Sequence, residues 1–269
     1  MARHPKQKGI CRLCGKEEEL TFEHIPPRSS FNKHTKFVSI DFMEYVQSDD
    51  IINNPPRGKI KQGGIGYNTL CSKCNSFLGS NYVNAYKIWS QAGAQILSKD
   101  DFGFVIFTMI EQEPLKVLKE IISMFIAING DWYLKAYPEL ADFVNNPELK
   151  KLPDKFRVFM YLTNEGGTRY MHHSVYYKPE LGGAVNCTEI AYPPFGYVLT
   201  IDFLKNINVL TNITHFKEFD LEEKTNIKLP MFKLPVYSPF PLDYRSKVKM
   251  TYDTQNSLKL KKELENQRK

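Results

Sequence analysis

Two CxxC pairs in the first eighty residues constrain this sequence more than any other feature. Cys11 and Cys14 stand in the segment CRLCGK, and Cys71 and Cys74 stand in LCSKCNSFLG. Two residues between paired cysteines let both sulfur atoms reach one ion from a single tight turn, and four thiolates complete a tetrahedral zinc shell. We therefore predict a structural Zn²⁺ site that joins the two pairs and closes the intervening chain into a loop.

An acidic residue, a histidine and an asparagine lie between and directly after these pairs. Glu23 and His24 occur in TFEHIPP, and Asn75 follows the last cysteine. The oxygens of Glu23 and Asn75 are hard ligands that suit Mg²⁺ or Mn²⁺, whereas the imidazole of His24 suits proton transfer. The alternating residues before His24 predict a strand that stops at the two following prolines. This combination of a base with oxygen ligands is typical of a nuclease core.

The segment from about residue 8 to residue 90 resembles the HNH endonucleases in their zinc-stapled form. The family pattern is a CxxC pair, then an acid-histidine pair followed by a proline, then LCxxCN and a short helix. The resemblance implies a ββα-metal core in which His24 is the general base. It also implies that Glu23 and Asn75 bind the catalytic Mg²⁺ or Mn²⁺. The middle asparagine of the family, which braces the histidine loop through backbone hydrogen bonds, is assigned to Asn68.

The interval from His24 to Cys71 is longer than the family usually has, so we expect an insertion at about residues 32–66. Basic side chains in and before it are candidates for contacts with nucleic-acid phosphates. They are Arg28, Lys33, Lys36, Arg57, Lys59 and Lys61. A solvated loop without a function is the alternative explanation of these charges.

The second half of the chain has a different character. An apolar segment at residues 114–128, with proline in its first turn, predicts a buried helix. Four later segments rich in Val, Tyr, Phe and Thr are separated by turns that contain glycine, and they predict an antiparallel sheet. We therefore predict an α+β protein with a nuclease domain at residues 1–98. A mixed helix and antiparallel-sheet domain at residues 99–269 would serve dimerisation, sensing or target reading.

Charge and cysteine usage narrow the class of protein further. A formal charge of +6 and a pI near 8.9 mildly favour a polyanionic partner. Four of the five cysteines lie in CxxC pairs, which argues against a secreted disulfide framework and for a reducing compartment. The N-terminal residues MARHPKQKG contain no apolar signal segment, and no apolar run is long enough to cross a membrane. We expect a cytoplasmic protein without a membrane partner.

The resemblance implies a metal-dependent endonuclease that hydrolyses DNA, with His24 activating the attacking water. One active site per chain cuts one strand, so a double-strand break requires a homodimer, a partner protein or two successive nicks. The family includes restriction and phage-defence nucleases, and a defence effector is therefore the implied role. Two alternatives remain open: a non-catalytic zinc-knuckle module that binds nucleic acid, and an HNH nuclease whose substrate is RNA.

Overall fold

The computed structural model describes residues 7–40, 42–48, 50, 52–99 and 102–267 and has an α+β fold. The strands are β1 Gln7–Ile10, β2 Glu17–His24, β3 Phe37–Ser39, β4 Lys59–Lys61, β5 Gly66–Cys71, β6 Phe104–Gln112, β7 Phe156–Leu162, β8 Arg169–Lys178, β9 Gly183–Tyr192, β10 Phe195–Ile201, β11 Thr211–Asn212 and β12 Thr225–Phe232. The helices are α1 Phe42–Gln47, α2 Ser72–Asn81, α3 Val83–Leu97, α4 Pro114–Ile128, α5 Trp132–Ala136, α6 Pro138–Asn145 and α7 Lys247–Gln267. In the described ranges, none of these helices combines the length and the apolar character that a membrane crossing requires.

The helix α4 lies in the centre of the protein because its sequence is apolar around most of its circumference. Pro114 starts it, where a missing backbone N–H removes no helical hydrogen bond. Every residue of α4 except Lys116 is buried. The ammonium group of Lys119 donates to the backbone carbonyls of Phe143, Asn146 and Leu149, so this buried charge satisfies carbonyl groups at the end of α6. The predicted buried helix at residues 114–128 is confirmed.

The sheet of the second half is antiparallel, with strand order β11-β7-β10-β9-β8. Its central strand β10 is fully buried, and Val198 in it pairs with Phe159 of β7 and with Glu189 of β9. Four of these strands coincide with the four segments that the sequence predicted. The separate pair of β6 and β12 was not predicted, and it joins segments more than one hundred residues apart.

A buried ion pair fixes the chain just before α7. Arg169 of β8 lies 2.5 Å from Glu189 of β9, and both side chains are almost fully enclosed. Glu189 also accepts hydrogen bonds from the Tyr161 hydroxyl and from the backbone N–H of Leu242. Arg169 donates to three backbone carbonyls in the segment 238–243. Charged groups buried in this way are tolerated because nearly every polar atom has a partner.

The first third of the chain contains a strand, strand and helix unit. β1, β2 and β5 form a three-stranded antiparallel sheet, and α2 begins at Ser72, directly after β5 ends at Cys71. Between β2 and β5 the chain forms β3, α1 and β4, and β3 pairs with β4. The insertion that we predicted at about residues 32–66 occupies this interval.

Side chains from both predicted domains share one cluster of buried residues. Trp89 of α3 stacks on Phe195 of β10 at a centroid distance of 5.6 Å and donates from Nε1 to the hydroxyl of Tyr197. The guanidinium of Arg12 donates to the carbonyl of Ala127 at the end of α4. The buried core therefore continues across residue 98, where we predicted a domain boundary. The division into residues 1–98 and 99–269 stays a prediction.

Candidate functional site

The four paired cysteines converge on one point. The Sγ atoms of Cys11, Cys14, Cys71 and Cys74 all lie within 4.8 Å of one another, and those of Cys14 and Cys71 are 4.0 Å apart. Thiolates bound to tetrahedral zinc at about 2.3 Å lie roughly 3.8 Å from each other, so the cluster has the dimensions of a zinc site. The sequence predicted these ligands, and the structure brings all four together.

Local backbone geometry explains why the first pair forms a metal-binding turn. The N–H of Gly15 donates to the carbonyl of Cys11 at 2.8 Å, and the N–H of Cys11 donates to the carbonyl of Lys16 at 2.8 Å. Gly15 has a φ of 71°, which side chains disfavour. The N–H of Cys71 lies 3.3 Å from the Cys11 sulfur and ties the two pairs together.

The pKa values of the thiols in this cluster shift in opposite directions. A hydrogen bond from Cys74 lowers the pKa of Cys11 to about 4, and the same hydrogen bond raises the pKa of Cys74. Burial and the charge on Cys11 further raise the pKa of Cys74. Four sulfur atoms this close ionise together only when a cation compensates their charge. The donor set therefore fits Zn²⁺ in chemistry as well as in spacing.

His24 lies at the end of β2, where the following prolines stop the strand. Its Nε2 atom is 3.0 Å from the carbonyl oxygen of Gly63. A carbonyl only accepts hydrogen bonds, so Nε2 carries a hydrogen, and in the neutral ring the lone pair is then on Nδ1. The ring also meets the edge of Phe22 at a centroid distance of 4.9 Å. The contact with Gly63 therefore fixes the orientation of the imidazole.

Two glycines shape the turn that holds this imidazole. Gly63 and Gly64 have φ angles of 104° and 94°, which glycine alone adopts without strain. A Cβ atom on Gly64 would lie 2.3 Å from the carbonyl oxygen of Asn32 and 2.9 Å from Cδ2 of His24. The ring and the Asn32 backbone thus contact the same glycine. The paired glycines of the segment GGIG are typical of a turn, but nothing in that segment indicates contact with His24.

Asn32 makes the bracing contacts that we had assigned to Asn68. Its side chain is fully buried, and its Nδ2 donates to the carbonyls of Pro26 and Ile65 at 2.8 and 2.7 Å. Its Oδ1 accepts from the N–H of Ile65 at 2.8 Å. Asn68 lies in β5 opposite Phe22, and among the described residues no hydrogen bond involves its side chain. We therefore transfer the bracing role to Asn32.

Replacement of Asn32 by alanine should destabilise the protein by about 2–5 kcal/mol, because the carbonyl of Pro26 and the N–H of Ile65 would lose their buried partner. The carbonyl of Ile65 would keep the N–H of Ile25. The matched control is Asn68→Ala, for which we expect a change below about 1 kcal/mol. Urea unfolding of both variants measures the difference. If Asn68→Ala proves the more destabilising variant, the brace belongs to Asn68 after all.

Glu23 and Asn75 occupy different surroundings in the structure. Adjacent residues of a strand point to opposite faces, so the side chains of Glu23 and His24 leave β2 on opposite sides. Glu23 is buried, and this burial raises its pKa to about 8. Asn75 donates from Nδ2 to the hydroxyl of Thr21 at 3.1 Å, which fixes the start of α2 against β2. In the described residues only the four cysteines form a group of three or more His, Cys, Asp or Glu with metal spacing.

A second carboxyl lies in the same interior region as Glu23. Glu120 of α4 is fully buried, and in the described part of the chain neither of its carboxylate oxygens has a hydrogen-bond partner. Burial raises its pKa, and the charge of Glu23 raises it further. Burial therefore favours the protonated form of both carboxyls, and a cation beside them would oppose this effect. Glu120 was not predicted as a functional residue, because it lies in a segment that is otherwise a buried apolar helix.

The six basic residues predicted to contact nucleic acid are all exposed. They are Arg28, Lys33, Lys36, Arg57, Lys59 and Lys61. Lys59 and Lys61 lie two apart in β4 and therefore point to the same side of the small sheet with β3. The insertion thus presents positive charge close in sequence to the loop that holds His24.

No family model, no curated protein and no solved structure matches this chain. The resemblance to the HNH endonucleases rests on the segments CRLCGK, TFEHIPP and LCSKCN.

Proposed function

We propose that the protein is a metal-dependent endonuclease of the HNH type that hydrolyses phosphodiester bonds in DNA. The observation that carries the proposal is the setting of His24. His24 ends β2, the first strand of the unit formed by β2, β5 and α2, and its Nε2 is held by a backbone carbonyl. The cysteine cluster belongs to the same part of the chain. A surface histidine without a function needs neither a glycine turn shaped around it nor a buried asparagine that braces that turn.

In the proposed reaction, Nδ1 of His24 takes a proton from the water that attacks the phosphorus atom. The carbonyl of Gly63 holds the ring during the transfer and stabilises the imidazolium that forms. The exposed basic residues bind neighbouring phosphates and position the strand. Bound Mg²⁺ or Mn²⁺ would supply positive charge near the scissile phosphate. The resemblance implies Glu23 and Asn75 as its oxygen donors; Glu23 is buried on the face of β2 opposite His24, and the variants below test whether it contributes. The cysteine cluster has no part in this step, because a four-thiolate zinc shell is closed to substrate.

The decisive experiment is incubation of the purified protein with plasmid DNA and with structured RNA, in the presence of Mg²⁺, Mn²⁺ or EDTA. We expect nicked or linear plasmid with either metal ion and intact plasmid with EDTA. Cleavage of RNA alone would replace DNA by RNA as the substrate. Intact DNA and RNA under every metal condition would refute the endonuclease proposal.

Two variants test the proposed ligands of the catalytic ion. Asn75→Ala removes an oxygen donor, and Glu23→Gln replaces a charged carboxylate by a weaker, neutral amide donor, so half-maximal cleavage should require a higher concentration of Mg²⁺ or Mn²⁺. Glu18→Gln is the matched control, because Glu18 is an exposed carboxylate on the same strand, and it should leave the metal dependence unchanged. The measurement is the cleavage rate against metal concentration, with melting temperature as the folding check. A parental metal dependence in Glu23→Gln would remove Glu23 from the ligand set.

A homodimer remains part of the proposal, because it would bring two sites to one duplex and cut both strands without a second binding event. The helix α7 exposes Val248, Tyr252, Leu260 and Leu264, and only Met250 of this helix is buried. We propose that the second half supplies the dimer contact. A role in phage defence follows from the family resemblance and is proposed on that ground alone.

A further inference from the structure

A phenylalanine next to the His24 loop is exposed and held in a conformation that its side chain disfavours. Phe31 has a φ of 68°, and half of its side chain is accessible to solvent. A positive φ is a genuine outlier for a bulky residue, and it persists only where the surroundings fix it. Its carbonyl accepts hydrogen bonds from the hydroxyls of Tyr192 at 3.0 Å and Thr35 at 3.2 Å, and the next residue, Asn32, is locked in place by three hydrogen bonds. The fold therefore presents this ring to solvent from a rigid support.

The ring of Phe31 forms one wall of a pocket of about 460 Å³. This volume lies within the range of roughly 300–1,000 Å³ that is usual for small-molecule pockets. Leu97, Pro193 and Pro194 line it together with Thr168 and Tyr192, and the lining is almost entirely apolar. The flat face of an aromatic ring suits such a site, and every nucleobase offers this face.

The pocket is close to the proposed catalytic centre. The carbonyl of Asn32 and the ring of His24 contact the same glycine, and Phe31 precedes Asn32 directly. Arg28 and Lys33 are exposed and lie three and two residues from Phe31, within about 11 Å along the chain. Positive charge therefore lies near Phe31 along the chain, on both sides of an aromatic wall close to the proposed general base, and a polynucleotide strand offers phosphates and bases in the same alternation.

We propose that the Phe31 pocket binds one unpaired base of the substrate strand next to the scissile phosphate. This inference rests on the proposed nuclease function and adds a substrate class to it: single-stranded or locally unpaired DNA. A base that is stacked and paired in a duplex does not reach the pocket without leaving the helix, and that step costs free energy. Phe31 is thus a positioning and specificity residue, while His24 carries out the chemistry.

The test measures DNA binding separately from cleavage. The protein is His24→Ala, which retains the pocket, and the probe is a short fluorescent single-stranded DNA read by anisotropy. Adding Phe31→Ala should weaken this binding about 5-fold to 150-fold, the effect of losing one stacked base. Phe31→Trp should retain the parental affinity, because it keeps an aromatic face. Phe104→Ala is the matched control, since Phe104 has the same exposed fraction and lies in β6, away from the pocket lining.

Two further probes make the test specific for a base. A strand of abasic sites has the same phosphates without bases, so Phe31→Ala should leave its affinity unchanged, and the effect on duplex DNA should be small. Zinc content and melting temperature show whether each variant is folded. An equal loss of affinity for the intact and abasic strands would refute the base pocket, as would parental affinity in Phe31→Ala. Absent cleavage by the wild-type protein would refute the nuclease alone, because the binding measurement does not depend on catalysis.

Discussion

Replacing His24 by alanine is expected to abolish strand cleavage and to leave the protein folded. Loss of a general base typically lowers the rate about 100-fold to 10,000-fold. The side chain is partly exposed at the end of β2, where its Nε2 bonds to the carbonyl of Gly63 and its ring meets the edge of Phe22. Removing the imidazole therefore affects proton transfer far more than packing. Plasmid nicking under single-turnover conditions measures the effect.

The controls separate loss of chemistry from loss of structure. His172→Ala removes an exposed histidine of β8 and should cut at the parental rate. For His24→Ala, zinc content, melting temperature and DNA affinity should stay close to the parental values. If this variant cuts DNA at the parental rate, the HNH assignment is wrong. The non-catalytic zinc-knuckle module then becomes the better explanation of the cysteine cluster and the exposed basic residues.

Features set by local sequence spacing were predictable. The CxxC turns depend on residues a few positions apart, and so does the apolar helix at residues 114–128 that starts with proline. The strands β7, β8, β9 and β10 were visible because each is rich in β-branched and aromatic residues and is bounded by turn signals. The α+β class with antiparallel sheets and a cysteine cluster followed from these signals alone.

Features set by contacts between distant segments were not predictable. Asn32 and Ile65 are far apart in sequence, and their hydrogen bonds exist only because the insertion folds back on the His24 loop. In the sequence, an asparagine that braces a loop looks the same as any other asparagine. Asn68 was therefore an equally reasonable choice for the bracing residue. Strand alternation did contain one usable signal, since it places Glu23 and its neighbour His24 on opposite faces. Because one face of this strand packs against the protein interior, one of the two side chains is expected to be buried.

We expect the chain to fold only when the four cysteines of the cluster bind Zn²⁺. Structural zinc contributes about 10–16 kcal/mol of apparent binding free energy at pH 7 in small zinc-dependent domains, which equals or exceeds the total stability of most proteins. Cys11, Cys71 and Cys74 are buried in the same cluster of side chains as the helix α4. Loss of the metal ion would therefore disturb the shared core and not only the N-terminal turn.

We expect one Zn²⁺ per chain, and we expect Cys11→Ser and Cys74→Ser to give insoluble or protease-sensitive protein. Cys187→Ala is the matched control: Cys187 is also fully buried, but it lies in β9 outside the metal cluster. This variant should keep one zinc per chain and stay folded, because a small cavity costs far less than a lost metal site. Elemental analysis and limited proteolysis measure both effects. A zinc-free preparation with a cooperative, native-like melt would show that the four thiols do not need a metal ion to hold the two pairs together.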